Sequence, residues 1–233
     1  MITEAIILAG GLGTRLRTAV PDLPKCMAPV AGKPFISYII NYYRAQGIAK
    51  FIFSLGYMHG IVEDFLKDHY ADLEYTFSIE TEPLGTGGAI LKASSMAVSS
   101  DALILNGDTF FAVDIPALAA FHEQKNALCT LSLKAVSNTG RYGVVETADD
   151  GRISSFKEKK WYEKSLINGG VYALDIAEFL KKDLPEIFSF EHDYLEKYYR
   201  EMNMYGMVQD GYFIDIGIPE DFEKAQKDFI SLY

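Results

Sequence analysis

Hydrophobic positions in the first 125 residues alternate between two kinds of pattern. Ala5-Ile6-Ile7-Leu8-Ala9 is a continuous apolar run that meets glycines, as a parallel strand buried on both faces would. Pro34 opens a stretch, Phe35 to Ala45, with apolar residues at helical spacing and Gly47 just past its end. Lys50 to Leu55 reads as a second strand, Ile61, Val62, Phe65 and Leu66 as one face of a second helix, and Tyr75 to Ile79 as a third strand. Gly87 to Met96 reads as a helix, Ala102 to Leu105 as a strand running into Asn106-Gly107-Asp108, and Ile115 to Phe121 as a fourth helix. Such alternation predicts an α/β fold, a Rossmann-like three-layer sandwich with right-handed crossovers and helices on both faces of a mostly parallel sheet.

After residue 125 the rhythm changes. Ala127 to Lys134, Gly143 to Thr147, Ile153 to Phe156 and Ile167 to Leu174 read as strands with little helix between them, and Phe190 to Arg200 and Pro219 to Ser231 as helices. This half is expected to form a mixed, partly antiparallel extension of the sheet that covers the site. Nothing resembles a linker, a low-complexity segment or a repeat, so residues 1–233 are expected to form one domain. The change of rhythm divides it into halves, residues 1–125 and 126–233.

Ligands of parallel α/β sheets sit at the carboxyl ends of the strands. Three segments rich in glycine and polar residues fall at such ends, after Ala9, after Ile79 and after Leu105. The first, Leu8-Ala9-Gly10-Gly11-Leu12-Gly13-Thr14-Arg15-Leu16, joins glycines that let backbone N–H groups approach an anion with the planar donor fork of Arg15. Lys25, after Pro24, adds a second cation. Two familiar phosphate motifs do not fit. A dinucleotide fingerprint started at Gly11 would need glycine where Leu16 stands, and a P-loop would need Ser or Thr where Pro34 follows Gly32-Lys33.

Charge sharpens this. The formal net charge is −10, which argues against general binding to nucleic acid or anionic membrane. Yet residues 1–50 carry six Lys or Arg against Glu4 and Asp22, a local net of +4 within an acidic chain. The imbalance points to one local anion site. The two cysteines, Cys26 and Cys129, form no Cys-x-x-Cys pair, and the four histidines lack metal-ligand spacing. No basic start with a long apolar segment and no run of ~20 apolar residues is present, which makes a cytoplasmic location the expectation.

With Pro24-Lys25 and Pro29-Val30-Ala31-Gly32-Lys33-Pro34, the glycine-rich segment resembles the signature of the sugar-1-phosphate nucleotidyltransferases. Further matches follow in order: Glu82-Pro83-Leu84-Gly85-Thr86-Gly87-Gly88-Ala89, Leu105-Asn106-Gly107-Asp108, Tyr142-Gly143-Val144-Val145, Glu158-Lys159, Asn168-Gly169-Gly170-Val171-Tyr172 and Asp215-Ile216-Gly217-Ile218-Pro219-Glu220-Asp221. The resemblance spans essentially the whole chain. Within the family the chain is most similar to the D-glycero-alpha-D-manno-heptose 1-phosphate guanylyltransferases. One departure is Cys26, where a proline or small residue is expected.

The resemblance implies a glycosyltransferase-A-like fold and in-line attack of a sugar 1-phosphate on the α-phosphorus of a nucleoside triphosphate. Arg15 and Lys25 would be catalytic. Leu8, Ala9, Gly10, Gly11, Gly13, Thr14, Pro83, Gly85, Thr86 and Gly107 would bind the nucleotide. Asp108 and Asp215 would hold Mg2+ through hard oxygen ligands. Asp101, Asp114 and Asp210, outside the motifs, read as ordinary caps or turn formers. Gly143, Glu158, Lys159 and Asn168 would bind the sugar phosphate, with Arg141 a further candidate and Trp161, Tyr162 and Tyr172 as stacking or core aromatics.

Glu80 falls at the family's base-reading position, a glutamine in thymidylyltransferases. A carboxylate accepts two hydrogen bonds and donates none, matching the N1–H and N2–H2 edge of guanine, so GTP is the expected donor. A solvent-facing Glu80 at a strand end is the plainer alternative. The closest rivals are transfer from CTP, UTP or dTTP, transfer to mannose or glucose 1-phosphate, and a non-catalytic nucleotide-binding regulator. The expected state is a monomer or homodimer, without the additional C-terminal domain of some relatives.

Overall fold

The computed structural model describes residues 1–11, 20–137, 142–157 and 163–232. The chain runs β1 (Glu4–Leu8), a 3-10 turn (Lys25–Met27), the short hairpin β2 (Pro29–Val30) and β3 (Lys33–Pro34), α1 (Phe35–Ala45), β4 (Lys50–Leu55), α2 (His59–His69), β5 (Glu74–Ile79), α3 (Gly85–Ser94), β6 (Asp101–Asn106), β7 (Thr109–Phe111) and α4 (Ile115–Gln124). It continues with β8 (Cys129–Ser137), β9 (Val144–Thr147), β10 (Ile153–Lys157), β11 (Lys164–Asp175), α5 (Ile176–Leu180), a π-helical turn (Phe190–Leu195) running into α6 (Glu196–Tyr198), β12 (Met204–Val208), β13 (Phe213–Asp215) and α7 (Pro219–Leu232).

One sheet carries most strands, in the order β10-β9-β11-β6-β1-β4-β5, with β8 on β11 and β12 on β8. The four strands β5, β4, β1 and β6 are mutually parallel. Their apolar runs serve two cores at once. In β1, Ala5 and Ile7 face one core and Ile6 the other; in β6, Leu103 and Leu105 oppose Ala102 and Ile104. Burial on both faces explains why these strands read as continuous rather than alternating. Helices α1, α2 and α7 pack in the first core, α3 and α5 in the second. The fold is therefore α/β with a mixed sheet between helical layers.

β11 joins the parallel strands to the rest. It runs antiparallel to β6 through Val171–Asp175 and to β8 along nearly its whole length. Its amino-terminal part meets β9 where Ile167 pairs with Val144. The antiparallel extension expected after residue 125 is thus a continuation of the same sheet. Among the described residues, no helix is long and apolar enough to cross a membrane.

Several elements differ from the sequence pattern. The helix expected over Phe190 to Arg200 opens as a π-helical turn, and only Glu196–Tyr198 is α-helical. The helix expected from Gly87 begins at Gly85, where Gly87 donates its N–H to the Phe188 carbonyl. β7 and β12 were not anticipated, because three residues carry too little periodicity and Gly206 interrupts the apolar run of β12.

β7 and β13 form a ribbon of their own, with Phe213 opposite Phe111, Ile214 opposite Phe110 and Asp215 opposite Thr109. α7 locks it. Phe229 meets Phe110 edge-on at 5.4 Å between ring centroids and Tyr38 at 4.5 Å. Burying one phenylalanine in this way contributes about 1.5–3 kcal/mol. On the other face, Phe188 donates its N–H to the Leu84 carbonyl, so segment 186–188 lies tightly on the first turns of α3.

That packing makes a test. Alanine exceeds glycine in helix propensity by about 1 kcal/mol. A Cβ on Gly88, however, would lie 2.1 Å from the Glu186 carbonyl oxygen, a backbone atom with little freedom to yield. Gly88→Ala is expected to lower stability by about 1–3 kcal/mol, seen as a reduced urea midpoint. A raised midpoint, as propensity alone requires, would contradict the packing.

Candidate active site

The carboxyl ends of β1, β4, β5 and β6 open onto one pocket of 1020 Å³. Chain order makes this a switch point: the chain leaves β1 for β4 and β5 on one side, then returns to β6 on the other. Backbone hydrogen bonds carry the strand ends past their last residues. Ala9 N–H donates to Ser54, Glu80 N–H to Leu55 and Gly107 N–H to Leu8, at 2.7–2.9 Å. These bonds give the pocket a rigid floor.

Leu8, Ala9, Gly10 and Gly11 line it from β1, and Gly107 and Asp108 from β6. Gly10 has a different reason to be glycine than positive φ. A Cβ there would meet Glu80 Oε1 at 2.9 Å and the Gly56 nitrogen at 3.1 Å. The glycine thus lets neighbouring strand ends close up, whereas Gly11 faces open space. Gly13, Thr14, Arg15, Arg141, Glu158, Lys159, Trp161 and Tyr162 lie outside the described residues.

Glu80, Pro83, Gly85 and Thr86 line the pocket from the loop after β5. Glu80 is half-buried. Its Oε1 accepts from the Ser54 hydroxyl at 3.1 Å and its Oε2 from the Leu84 N–H at 3.1 Å. Each oxygen keeps a lone pair, and the carboxylate plane is fixed by two partners. Gly85 holds φ +72° against the Phe188 carbonyl. The Thr86 hydroxyl is turned from the pocket: it donates to Glu191 Oε2 at 2.6 Å and accepts from the Phe190 N–H at 2.9 Å. With its one proton committed, Thr86 borders the pocket by its surface rather than offering a donor.

Lys25 enters from the 3-10 turn, which Cys26 and Met27 anchor in the first core. Its ammonium contacts Asp108 Oδ2 and stands 3.9 Å from Asp215 Oδ1. The β7–β13 ribbon makes this possible. It sets Asp215 opposite Thr109, and Ile216 N–H donates to the Asp108 carbonyl at 3.0 Å. Gly217 N–H fixes Asp215 Oδ1 at 2.7 Å. Two carboxylates that already converge on one cation at a pocket wall suit Mg2+, which takes few protein oxygens and completes its shell with water and phosphate. Asp114, by contrast, caps α4 by accepting from Ala117 N–H, as its position outside the motifs suggested.

Two expected sugar-side residues, Gly143 and Asn168, are not among those lining the pocket. Gly143 leads into β9, and Asn168 lies in β11 beside the Ile167–Val144 pair. Gly143 is exposed, and a Cβ there would find its nearest neighbour at 3.7 Å, so packing does not demand glycine. Tyr172 is a core residue with 1% exposure, not a stacking platform.

A fourth strand end, after β4, went unnoticed in the sequence. Tyr57, Met58 and His59 line the pocket, with Met58 in the left-handed region at φ 59° and the Tyr57 ring half exposed. Leu55-Gly56 was the available signal. His59, at the start of α2, has Nδ1 2.6 Å from Glu63 Oε1.

The whole chain has close relatives. A nucleotidyl transferase family model matches residues 4–231. The chain is 48% identical over 225 residues to the D-glycero-alpha-D-manno-heptose 1-phosphate guanylyltransferase of Aneurinibacillus thermoaerophilus, covering 97% of each sequence. It is 42% identical to the enzyme of that name from Campylobacter jejuni, covering 94% of this chain and 96% of the other. Its fold matches a crystal structure of HddC from Yersinia pseudotuberculosis complexed with GMP-PN, with a TM-score of 0.87, 36% identity, and coverage of 98% of this chain and 100% of that one.

The Cys26 thiol is buried in the pocket wall. Burial, reinforced by the charge of Asp108, pushes it up to about 12. Burial alone raises Cys129 further. Only the thiolate reacts, so the native protein at pH 8 is expected to resist a disulfide reagent over minutes, and both thiols to react after denaturation. One rapidly modified equivalent in the native protein would contradict this placement.

Proposed function

The chain belongs to the nucleotidyl transferase family, and from that premise we propose that it transfers GMP from GTP to D-glycero-alpha-D-manno-heptose 1-phosphate, yielding GDP-heptose and pyrophosphate. Relatives of that activity at 42–48% identity over nearly the full chain support the reading. The structural observation that carries it is the pairing, in one pocket, of an acceptor-only carboxylate at Glu80 with the charged cluster of Lys25 and Asp108. The product would supply assembly of a surface glycan, and the enzyme would work in the cytoplasm, where GTP is abundant.

The sugar phosphate oxygen forms a bond to the α-phosphorus as the bond to the β-phosphate oxygen breaks, and pyrophosphate leaves with that electron pair. Both reactants are anions, so the protein's task is alignment and charge compensation. Glu80 receives the guanine N1–H and N2–H2 donors. Arg15 and the glycine-loop amides grip the β- and γ-phosphates. Lys25 exchanges one aspartate contact for oxygens of the α-phosphate and the incoming sugar phosphate, where negative charge concentrates in the transition state. Asp108 and Asp215 would hold Mg2+, which when bound neutralises phosphate charge and favours departure of pyrophosphate. Gly143, Glu158, Lys159 and Asn168 orient the sugar phosphate.

Pyrophosphate release measured across a matrix of heptose, mannose and glucose 1-phosphates with GTP, CTP, UTP and dTTP should peak at heptose 1-phosphate with GTP. No release from any pair would favour a regulator that only binds nucleotide. Glu80→Gln should reduce the preference for GTP over dTTP by about tenfold or more, because an amide presents a donor to the guanine edge. An unchanged ratio would remove Glu80 as base reader. Lys25→Ala should lower kcat by about 100- to 1000-fold with a small change in GTP affinity. Turnover near wild type would end its assignment to the transition state.

A further inference from the structure

The Glu80 carboxylate is held from two sides. Ser54, on β4, donates its hydroxyl to Oε1 at 3.1 Å, and the Leu84 N–H donates to Oε2 at 3.1 Å. The first donor is fixed in the sheet, since Ser54 pairs with Leu8 of β1 and Ser78 of β5. The second belongs to a loop, so the plane of the carboxylate is only as well set as Leu84 is. Leu84 stands immediately before α3 and gives that helix no side-chain cap.

What holds Leu84 comes from the other half of the chain. Phe188 N–H donates to the Leu84 carbonyl at 3.1 Å, and Gly87 N–H donates to the Phe188 carbonyl at 2.9 Å. Side chains then continue the contact. The Thr86 hydroxyl donates to Glu191 Oε2 at 2.6 Å and accepts from the Phe190 N–H at 2.9 Å. Ser189 donates its hydroxyl to the same Glu191 oxygen at 3.1 Å. An unbroken path of hydrogen bonds and backbone thus runs from Glu191 through Thr86 and Leu84 to Glu80.

The π-helical turn does not need Glu191 to cap it. Ser189 Oγ accepts from His192 N–H at 3.2 Å, and Asp193 Oδ2 accepts from Ser189 N–H at 2.8 Å, a reciprocal cap of the capping-box kind. Glu191 turns to α3 instead. It brings a carboxylate to the first turn of a helix that has no acidic residue there, where the helix dipole favours one. Glu191 is not among the residues lining the pocket, so its influence on a bound nucleotide passes through the loop.

We propose that Glu191 is a positioning residue for the base-reading loop: by holding the Thr86 hydroxyl it pins the opening of α3 to the π-helical turn, and so fixes the Leu84 N–H that orients Glu80. The inference rests on the reading that Glu80 meets the guanine edge. Guanine presents N1–H and N2–H2 side by side, and a carboxylate meets both only when its plane matches theirs. Without the Thr86–Glu191 bond, Leu84 loosens relative to Ser54, and the carboxylate swings about its remaining fixed partner. The paired contact is then lost before a single one would be.

Kinetics with GTP and with ITP, which lacks the 2-amino group, test the proposal, using the sugar 1-phosphate that the enzyme accepts. Glu191→Ala and Thr86→Val should each lower the ratio of kcat/KM for GTP over ITP about fivefold and leave the sugar phosphate KM within about twofold. Thr86→Ser keeps the hydroxyl and should hold the wild-type ratio within about twofold. In a Glu80→Gln background, adding Thr86→Val should change the ratio by less than about twofold, since the reader that it positions is gone. Thr86→Val keeps the shape of the side chain, so it carries the test if Glu191→Ala fails to fold. An unchanged ratio, whether both nucleotides are used normally or equally badly, would overturn the proposal. So would a drop that persists without Glu80, or a rise in the sugar phosphate KM as large as the drop. A wild type that treats GTP and ITP alike would fail the reading of Glu80 itself, and the proposal with it.

Discussion

The site depends on one short pairing, three residues of β7 against three of β13. Asp108 and Asp215 are far apart in sequence, and two carboxylates brought side by side repel each other. The ribbon supplies the backbone bonds that hold them together, and Lys25 supplies the compensating charge. Each part is weak alone. Two-stranded ribbons are marginal in water, and a lysine held between carboxylates gives up solvation. The aromatic packing of Phe110 with Phe229 makes the arrangement durable by giving the ribbon a dry side. Charge at the site is thus underwritten by hydrophobic burial behind it.

The parallel half of the fold was legible because its elements are long and strongly patterned. α1 and β4 have the bounds their sequences predict, Phe35–Ala45 and Lys50–Leu55. The strand-end rule placed three of the four loops around the pocket. It would have placed the fourth, Gly56 to His59, had it been applied to β4 as well. Less visible were features that arise only between segments. Nothing local in Thr109–Phe111 announces a strand, because its partner lies in another part of the chain.

Residue roles divide along the same line. Glu80 and Asp108 stand out by chemical type at strand ends, and Lys25 in the segment after β1, and the structure brings all three into one pocket. The glycines were harder to read. Gly10 answers to a neighbouring strand and Gly88 to a passing backbone, although in sequence Gly10 reads as part of an anion-binding loop and Gly88 as part of a family motif at the start of a helix. Glu191 was invisible, since a carboxylate in an acidic chain gives no hint that the hydroxyls of Thr86 and Ser189 converge on it.

The ribbon also sets an order of events during synthesis. β1, β4, β5 and β6, with Lys25 and Asp108 among them, are complete by residue 108, and they already contain most of the pocket floor. The second carboxylate arrives only with residue 215. Both cores that cover the parallel strands also draw on late residues, Phe229 on one face and Phe179 and Phe190 on the other. Domains generally fold as units during synthesis. Here that means the hollow and its cation cradle are completed together, near the end of synthesis, so a chain interrupted before residue 215 would lack both the second carboxylate and the packing behind the first.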